Sequence, residues 1–207
     1  MKHCYVVGAG DFAAEAFHPE PEDYVIACDG GYRYCLESGR IPDLVIGDFD
    51  SLGKSPEHHN VRALNPVKDE TDMACGCAAG IELGYRSLIL FGGTGGRLSH
   101  TMANIRLMDH LAGQGMECVL IGHNCRIRTL RAGRLILPAQ PARTISVFSC
   151  SRASGVTLRG LKYPLTDATL AFDNPLGVSN EPDGSGEIVI EVKEGGLIIM
   201  EEFDTQA

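Results

Sequence analysis

Up to about residue 123, short apolar runs alternate with longer segments of helical character. The apolar runs are continuous, which is typical of strands buried on both faces of a parallel sheet. They lie at 5–7, 24–28, 44–46, 61–64, 88–91 and 119–121. Helices are predicted at 12–17, 32–38, 72–83 and 98–112, and a glycine follows each of the last three. This alternation predicts an α/β domain with an open, mainly parallel sheet.

From about residue 125 the pattern changes. Short apolar runs recur with Gly, Pro, Asn and Asp between them, and no segment has the length and period of a helix. The runs lie at 127–130, 135–137, 144–148, 156–158, 169–172, 187–192 and 197–200. This spacing predicts an antiparallel β-sandwich. We therefore expect two domains, residues 1–124 and 125–207.

Charge and composition narrow the function classes. The 207 residues include 18 Lys+Arg and 27 Asp+Glu, which gives a formal net charge of −9. With no basic stripe, this excess of negative charge argues against a nucleic-acid partner. No apolar stretch approaches the ~20 residues that span a bilayer, and the first apolar run is too short for a signal peptide. The 8 cysteines lack zinc-finger spacing, so we expect free thiols in a cytoplasmic protein.

Polar or glycine-rich residues follow five of the predicted strands. In an open parallel sheet, ligands bind at the carboxyl ends of the strands, so these segments are expected to share one edge. The segments are Gly8-Ala9-Gly10, Asp29-Gly30-Gly31, Gly47-Asp48-Phe49-Asp50-Ser51, Lys68-Asp69-Glu70-Thr71-Asp72 and Gly92-Gly93-Thr94-Gly95-Gly96-Arg97. Together they predict a site.

Asp48 and Asp50 form the first candidate metal site. Residues two apart in an extended segment point the same way, so both carboxylates can face one point. Like charges held together favour a cation between them, and hard oxygen ligands suit Mg²⁺. The alternative is a polar turn in which Asp50 and Ser51 cap the next segment.

The segment around Asp72 is open to two interpretations. Asp69 as N-cap with Asp72 three residues later fits a capping box. Alternatively, Asp72 lies at the same sheet edge as Asp48 and Asp50 and joins their metal site, with Lys68 meeting a phosphate.

The glycine-rich loop at 92–96 leads into a predicted helix. Glycines let backbone N–H groups approach an anion, and a helix N-terminus favours negative charge. The loop is not a Walker A loop, because no Gly-Lys-Ser/Thr follows, but Arg97 can supply the positive charge. Arg97, His100 and Asn104 share one helix face. They form either a ligand-binding stripe or a solvated one.

Four motifs, in order along the chain, resemble the motif set of the thiamine pyrophosphokinase family. They are Asp29-Gly30-Gly31, Gly47-Asp48-Phe49-Asp50-Ser51, Lys68-Asp69-x-Thr71-Asp72 and Gly92-Gly93-x-Gly95-Gly96-Arg97-x-x-His100-x-x-x-Asn104. The resemblance continues with Gly160-Leu161-x-Tyr163 and Gly177-Val178-Ser179-Asn180-Glu181, so it covers most of the chain. Each motif alone is weak, but the ordered set is specific.

The resemblance implies transfer of a diphosphate group from ATP to the thiamine hydroxyl with Mg²⁺, giving AMP and thiamine diphosphate. It also implies a homodimer, with an α/β catalytic domain and a thiamine-binding β-sandwich. The implied metal ligands are Asp48, Asp50 and Asp72, with Arg97 also catalytic. The implied nucleotide contacts are Asp29, Gly30, Lys68, Asp69, Thr71, Gly93, Thr94, Gly95, Gly96, His100 and Asn104. The implied substrate contacts are Ser51, Ser179 and Asn180.

Two positions depart from the family pattern. Ser99 stands where many relatives carry Asp. The chain has no Trp, whereas some relatives stack thiamine on one. Thiamine is therefore expected to pack on the aliphatic side chains at 197–200 or on Tyr163.

Two other functions remain open. Gly8-x-Gly10-x-x-Ala13 after a strand, with Asp29 after the next one, matches a dinucleotide fingerprint and suggests a nicotinamide-linked oxidoreductase. Pro19 and Pro21 cut its helix short, however, and it leaves the other acidic segments unused. The second alternative is a thiamine- or nucleotide-binding protein that has lost turnover.

Overall fold

The computed structural model describes residues 2–49, 56–65, 70–138 and 143–203, with the side chain of Arg143 left out. The chain divides into two compact units. The first comprises residues up to Leu107 together with Gly115–His123. The second comprises Met108–Gln114 and the residues from Asn124 onward. Within the described ranges, no helix is both long enough and apolar enough to cross a membrane.

The first unit contains a sheet of six strands that all pair in parallel, in the order β6-β5-β1-β2-β3-β4. β1, β2, β3 and β5 are almost wholly buried, and their sequences are accordingly apolar apart from the buried Ser87 at the start of β5. The strands are β1 (Cys4–Val7), β2 (Tyr24–Cys28), β3 (Leu44–Gly47), β4 (Val61–Ala63), β5 (Ser87–Phe91) and β6 (Glu117–Ile121).

Strand β4 differs from the expectation of a strand buried on both faces. It lies at the edge of the sheet, next to β3. Arg62 and Ala63 are exposed, and Arg62 pairs with Glu82 at 3.1 Å. A short apolar run therefore predicted the strand correctly but not its burial, because an edge strand has no neighbour on one side.

Three α-helices are described: α1 (Gly31–Glu37), α2 (Asp72–Glu82) and α3 (Leu98–Gly113). The helix predicted at 12–17 is wrong, since only a single 3-10 turn forms there, at Ala14–Ala16. A helix this short gains too few hydrogen bonds to offset its nucleation. Instead, the rings of Phe12 and Phe17 pack on Phe91, with centroids 5.7 and 5.2 Å away.

The second unit contains six strands that pair antiparallel. They are β7 (Cys125–Pro138), β8 (Arg143–Ser149), β9 (Arg152–Arg159), β10 (Leu165–Ala171), β11 (Gly177–Asn180) and β12 (Glu187–Phe203). The runs predicted at 127–130 and 135–137 belong to one strand, β7, and those at 187–192 and 197–200 belong to β12. The register of this pair shifts between Val192 and Gly196, so the glycines that suggested a turn form a bulge.

Strand β12 organises the second unit. Along its length it pairs with β7, while its first part pairs with β9 and its last part with β8. Side chains from β8, β9, β10 and both parts of β12 pack into one hydrophobic cluster. The two branches of the sheet therefore enclose a core that belongs to this unit alone.

Candidate functional site

A pocket of about 620 Å³ lies in the first unit. This volume is in the range of small-molecule sites, roughly 300–1,000 Å³. The pocket is lined by residues 8–10, 28–29, 70–73 and 92–97, with His100 and Asn104. Its walls are therefore the carboxyl ends of β1, β2 and β5 and the N-terminal turns of α2 and α3, as expected for an open parallel sheet.

The loops after β1 and β5 form one backbone platform on this wall. The N–H of Gly10 donates to the carbonyl of Gly92 at 2.9 Å. The N–H of Asp11 donates to the carbonyl of Thr94 at 2.8 Å. A Cβ on Gly10 would lie 2.3 Å from the Thr94 oxygen, and one on Gly92 would lie 2.2 Å from the Gly8 oxygen. These glycines are therefore needed because the two backbones touch.

Acidic side chains also line the pocket. Asp29 follows β2 with φ of 48°, and its N–H donates to the Ile46 carbonyl at 2.8 Å. Asp72 is the first residue of α2. The N-cap of that helix is Thr71, whose Oγ1 accepts the N–H of Ala74 at 3.2 Å. The capping-box interpretation with Asp69 as N-cap is therefore wrong.

Asp48 lies near this wall but does not line the pocket. It is half-buried and follows β3 at the same sheet edge as Asp29, whose Cα would be 3.2 Å from a Cβ on Gly47. The neighbouring Phe49 is buried, and its backbone lies in the left-handed region with φ of 60°.

Among the described residues, no three His, Cys, Asp or Glu side chains form a group that could hold a metal ion. Asp50 lies outside those residues, so the predicted convergence of carboxylates stays a prediction.

Helix α3 supplies the polar stripe that the sequence predicted. Arg97, just before the helix, and His100 on its first turn are exposed, and both line the pocket. Asn104 is 7% exposed, and its Nδ2 donates to the carbonyl of Gly93 at 2.8 Å. Arg97 therefore places a positive charge beside the glycine loop, and the N-terminus of α3 adds a partial positive charge.

Most of the residues predicted to bind the nucleotide, together with Asp72 from the metal set and the catalytic Arg97, line this pocket. Those that line it are Asp29, Thr71, Asp72, Gly93, Thr94, Gly95, Gly96, Arg97, His100 and Asn104. Gly30 is next to Asp29 as the N-cap residue of α1 but does not line the pocket. Asp50, Ser51, Lys68 and Asp69 lie outside the described residues.

Sequence reasoning missed two pocket residues, Cys28 and Met73. Both are buried, and both look like ordinary core residues in the sequence. The only available signal was position, because Cys28 ends β2 and Met73 follows Asp72. Burial raises the pKa of the Cys28 thiol well above its usual value, with Cys77 and Asp72 adding to the shift. The thiol is therefore protonated at neutral pH and is no nucleophile.

In the second unit, the side chain of Asn180 forms hydrogen bonds that hold a loop in place. Its Oδ1 accepts the N–H groups of Tyr163 (3.0 Å) and Glu181 (3.0 Å), and its Nδ2 donates to the Tyr163 carbonyl at 2.7 Å. Ser179, in the left-handed region with φ of 55°, donates its N–H to Ser146 Oγ at 3.1 Å. Asn180 thus holds the loop that carries Tyr163, whose side chain is 68% exposed.

Sequence models of known families match both halves of the chain. The thiamin pyrophosphokinase catalytic domain matches residues 19–120. The thiamin pyrophosphokinase vitamin B1 binding domain matches residues 134–197. A thiamine pyrophosphokinase of Bacillus subtilis is 30% identical over 165 residues, which cover 75% of this chain and 77% of that protein.

Solved structures share the fold. The crystal structure of thiamine pyrophosphokinase from Bacillus subtilis superposes with a TM-score of 0.85 at 24% identity, covering 99% of this chain and 100% of the other. Thiamin pyrophosphokinase from Geobacillus thermodenitrificans gives 0.84 at 25% identity and 99% coverage of both chains. The protein from Candida albicans gives 0.74 at 15% identity, covering 98% of this chain and 89% of the other.

Proposed function

This chain belongs to the thiamine pyrophosphokinase family and is a thiamine diphosphokinase, and we propose that it works by Mg²⁺-dependent diphosphate transfer from ATP to the thiamine hydroxyl. The products are AMP and thiamine diphosphate. The observation that carries the proposal is the pocket of the first unit. There a glycine platform and a helix N-terminus with Arg97 share one cavity with Asp29 and Asp72.

The glycine platform and α3 are the proposed polyphosphate site. Backbone N–H groups and the N-terminal dipole of α3 favour an anion. Arg97 adds a fixed positive charge that can bind phosphate oxygens in a bidentate manner. His100 is on the same side of the pocket. The described part of the site thus supplies attraction for a negatively charged ligand in the same pocket as the carboxylates.

The carboxylates on the pocket wall are donors of the chemical kind that Mg²⁺ prefers. Asp29 and Asp72 bring carboxylate oxygens to the pocket wall, and such hard ligands are the ones Mg²⁺ prefers. We propose Asp72 as a ligand together with Asp48 and Asp50. When bound there, Mg²⁺ supplies neutralisation of the charge on the transferred phosphate oxygens.

The proposed reaction is an in-line displacement. The thiamine hydroxyl oxygen forms a bond to the β-phosphorus as the bond from that phosphorus to the α–β bridging oxygen breaks, and AMP leaves. The hydroxyl proton passes to a nearby aspartate, for which Asp72 is our candidate. Such transfers depend mainly on positioning and charge stabilisation, which the loop amides and Arg97 provide.

The second unit is the proposed thiamine-binding β-sandwich, with Ser179 near the substrate. Of the two packing surfaces expected for thiamine, the exposed Tyr163 is the better candidate. Leu197 and Ile199 are fully buried in the core of the unit, which leaves only the half-buried Ile198 and Met200 of the aliphatic surface. The homodimer, the cytoplasmic location and the domain boundary at residue 124 remain predictions of the sequence.

The alternatives are not favoured. In the oxidoreductase reading, Gly8 and Gly10 let a dinucleotide approach the backbone. Here a Cβ on either residue would collide with the carbonyl of Gly92 or Thr94, so packing of the two loops accounts for both glycines. Ser99 is the residue that suggested a binding protein without turnover. It is exposed and does not line the pocket.

The test is product analysis with purified protein, ATP, Mg²⁺ and thiamine. We expect AMP and thiamine diphosphate in equal amounts, no ADP, and loss of turnover when EDTA removes the metal. Binding of both substrates without AMP formation would instead favour the inactive alternative. A change in NADH fluorescence on mixing would favour the oxidoreductase.

A further inference from the structure

Three consecutive carbonyl groups of the loop after β5 are held by donors from elsewhere in the first unit. The Gly92 oxygen accepts the N–H of Gly10, and the Thr94 oxygen accepts the N–H of Asp11. Between them, the Gly93 oxygen accepts Nδ2 of Asn104. Two of the three donors are backbone groups, which any sequence supplies. Only the middle contact depends on a side chain.

The Gly93–Asn104 contact is enclosed and tight. Gly93 is buried and Asn104 is 7% exposed. A Cβ on Gly93 would lie 2.9 Å from Cδ1 of Leu120 and 3.3 Å from Nδ2 of Asn104. A side chain on Gly93 would therefore press on the ends of the Leu120 and Asn104 side chains and disturb the contact. Because a carbonyl can only accept, the amide nitrogen of Asn104 must be the atom that faces it.

We propose that Asn104 sets the affinity for ATP by holding the Gly93 carbonyl away from the polyphosphate. The inference rests on the proposed function, since it assigns the loop at 92–96 to the phosphates. A carbonyl oxygen carries partial negative charge. If it turned into the pocket, it would repel phosphate oxygens and displace the neighbouring amides. Asn104 is in this view a positioning residue that acts through the loop.

The proposal predicts a selective effect of removing the donor. Asn104→Leu keeps a branched side chain of similar length but cannot donate to Gly93. A buried carbonyl that loses its partner costs enough to favour rearrangement of the loop. We expect the dissociation constant for ATP to rise roughly 10-fold or more, with the dissociation constant for thiamine unchanged. Isothermal titration with each substrate separately measures this split.

Two further variants, a matched control and a change on the other side of the contact, are measured alongside Asn104→Leu. Arg106→Leu makes a similar change on an exposed position of the same helix and should leave ATP binding unchanged. Gly93→Ala disturbs the contact from the loop side and should weaken ATP binding in the same selective way, even if Asn104→Leu folds poorly. Since both changes break one contact, the double variant should be scarcely weaker than the worse single variant.

Two results would overturn the inference. One is unchanged ATP affinity in a folded Asn104→Leu or Gly93→Ala protein. The other is an equal loss of ATP and thiamine affinity, which would indicate general damage to the fold. Failure of the proposed function looks different, because the wild-type protein itself would then form no AMP.

Discussion

At the scale of single residues, Asp72 shows how the structure decides between two interpretations of one segment. Thr71 caps α2, so the carboxylate of Asp72 is not needed for a capping box that starts at Asp69. It lies at the first turn of the helix, where negative charge is favoured, and it lines the pocket.

We predict that Asp72→Asn lowers turnover by at least ~10², the loss typical for removal of a key electrostatic group. The reason is that the amide has almost the same shape but lacks the charge proposed to hold the metal and take the proton. The rate of AMP formation at saturating ATP and thiamine measures the effect. Glu82→Gln, at the exposed other end of α2, is the control and should keep full activity. Full activity in Asp72→Asn would contradict the assignment.

Residues at strand ends could be predicted from the sequence because charge and glycine are unusual directly after buried strands. Asp29 and Arg97 were found in this way, and His100 was found by its helical spacing from Arg97. Cys28 and Met73 could not be found, since their composition matches that of the core. The hydrogen bonds from Asn180 to the backbone of Tyr163 could not be predicted either. Tyr163 lies 17 residues earlier in the chain, and no local pattern connects the two.

At the scale of elements, the loops and caps around the pocket determine its shape. The N-terminus of α2 depends on one side-chain hydrogen bond, from the N–H of Ala74 to Thr71 Oγ1. The platform of the loops after β1 and β5 depends on glycines whose neighbours are backbone atoms. Both features carry stability consequences that can be measured apart from catalysis.

Thr71→Ala should lower the free energy of unfolding by about 1 kcal/mol, because the capping hydrogen bond is lost. Thr71→Ser keeps the hydroxyl and should stay close to wild type. Urea denaturation of the three proteins measures the difference. Equal loss in both variants would show that the methyl group of Thr71, and not its hydroxyl, stabilises the helix.

Gly10→Ala should lower the free energy of unfolding by roughly 1–3 kcal/mol, as expected for overpacking against atoms that cannot move aside. The new Cβ would meet the carbonyl oxygens of Thr94 and Gly92 at 2.3 and 2.7 Å. Gly113→Ala is the matched control. It lies at the end of α3, where the nearest atom to a Cβ is 3.8 Å away. It should be neutral or slightly stabilising, and thermal unfolding of both variants tests the contrast.

At the scale of the whole molecule, the change of period near residue 123 indicated a switch from parallel to antiparallel strands, and the strand pairings agree with this. The length of β7 and β12 was not predictable. Polar residues and glycines at 131–134 and 193–196 read as turns, but they lie at a bulge in the long antiparallel pair of β7 and β12. A local turn signal cannot reveal that the same two strands continue to pair beyond it.

The free thiols predict how stability depends on pH. Cys4, Cys35 and Cys118 are free thiols, and burial raises the pKa of each to about 12. The unfolded chain releases these protons above about pH 8.5 while the folded protein retains them. The free energy of unfolding should therefore keep its full value below that pH and fall as the pH rises toward 12. The slope is up to about 1.4 kcal/mol per pH unit for each such thiol.

Urea denaturation at pH 8, 9 and 10 measures this slope. Cys118→Ala removes one buried thiol, so its curve should start lower but decline less steeply than that of the wild type. Parallel curves for the two proteins would mean that the thiol of Cys118 ionises equally well in the folded and unfolded states.

The pairing of β12 with β7, β8 and β9 also bears on how the polypeptide folds during translation. Three of the five preceding strands of the second unit have β12 as a neighbour, yet β12 is the last of them to leave the ribosome. The apolar faces of the nascent second unit therefore stay uncovered until β12 is available. Pulse proteolysis of stalled chains should find the unit protected only when a C-terminal linker is long enough to bring residue 203 out of the exit tunnel.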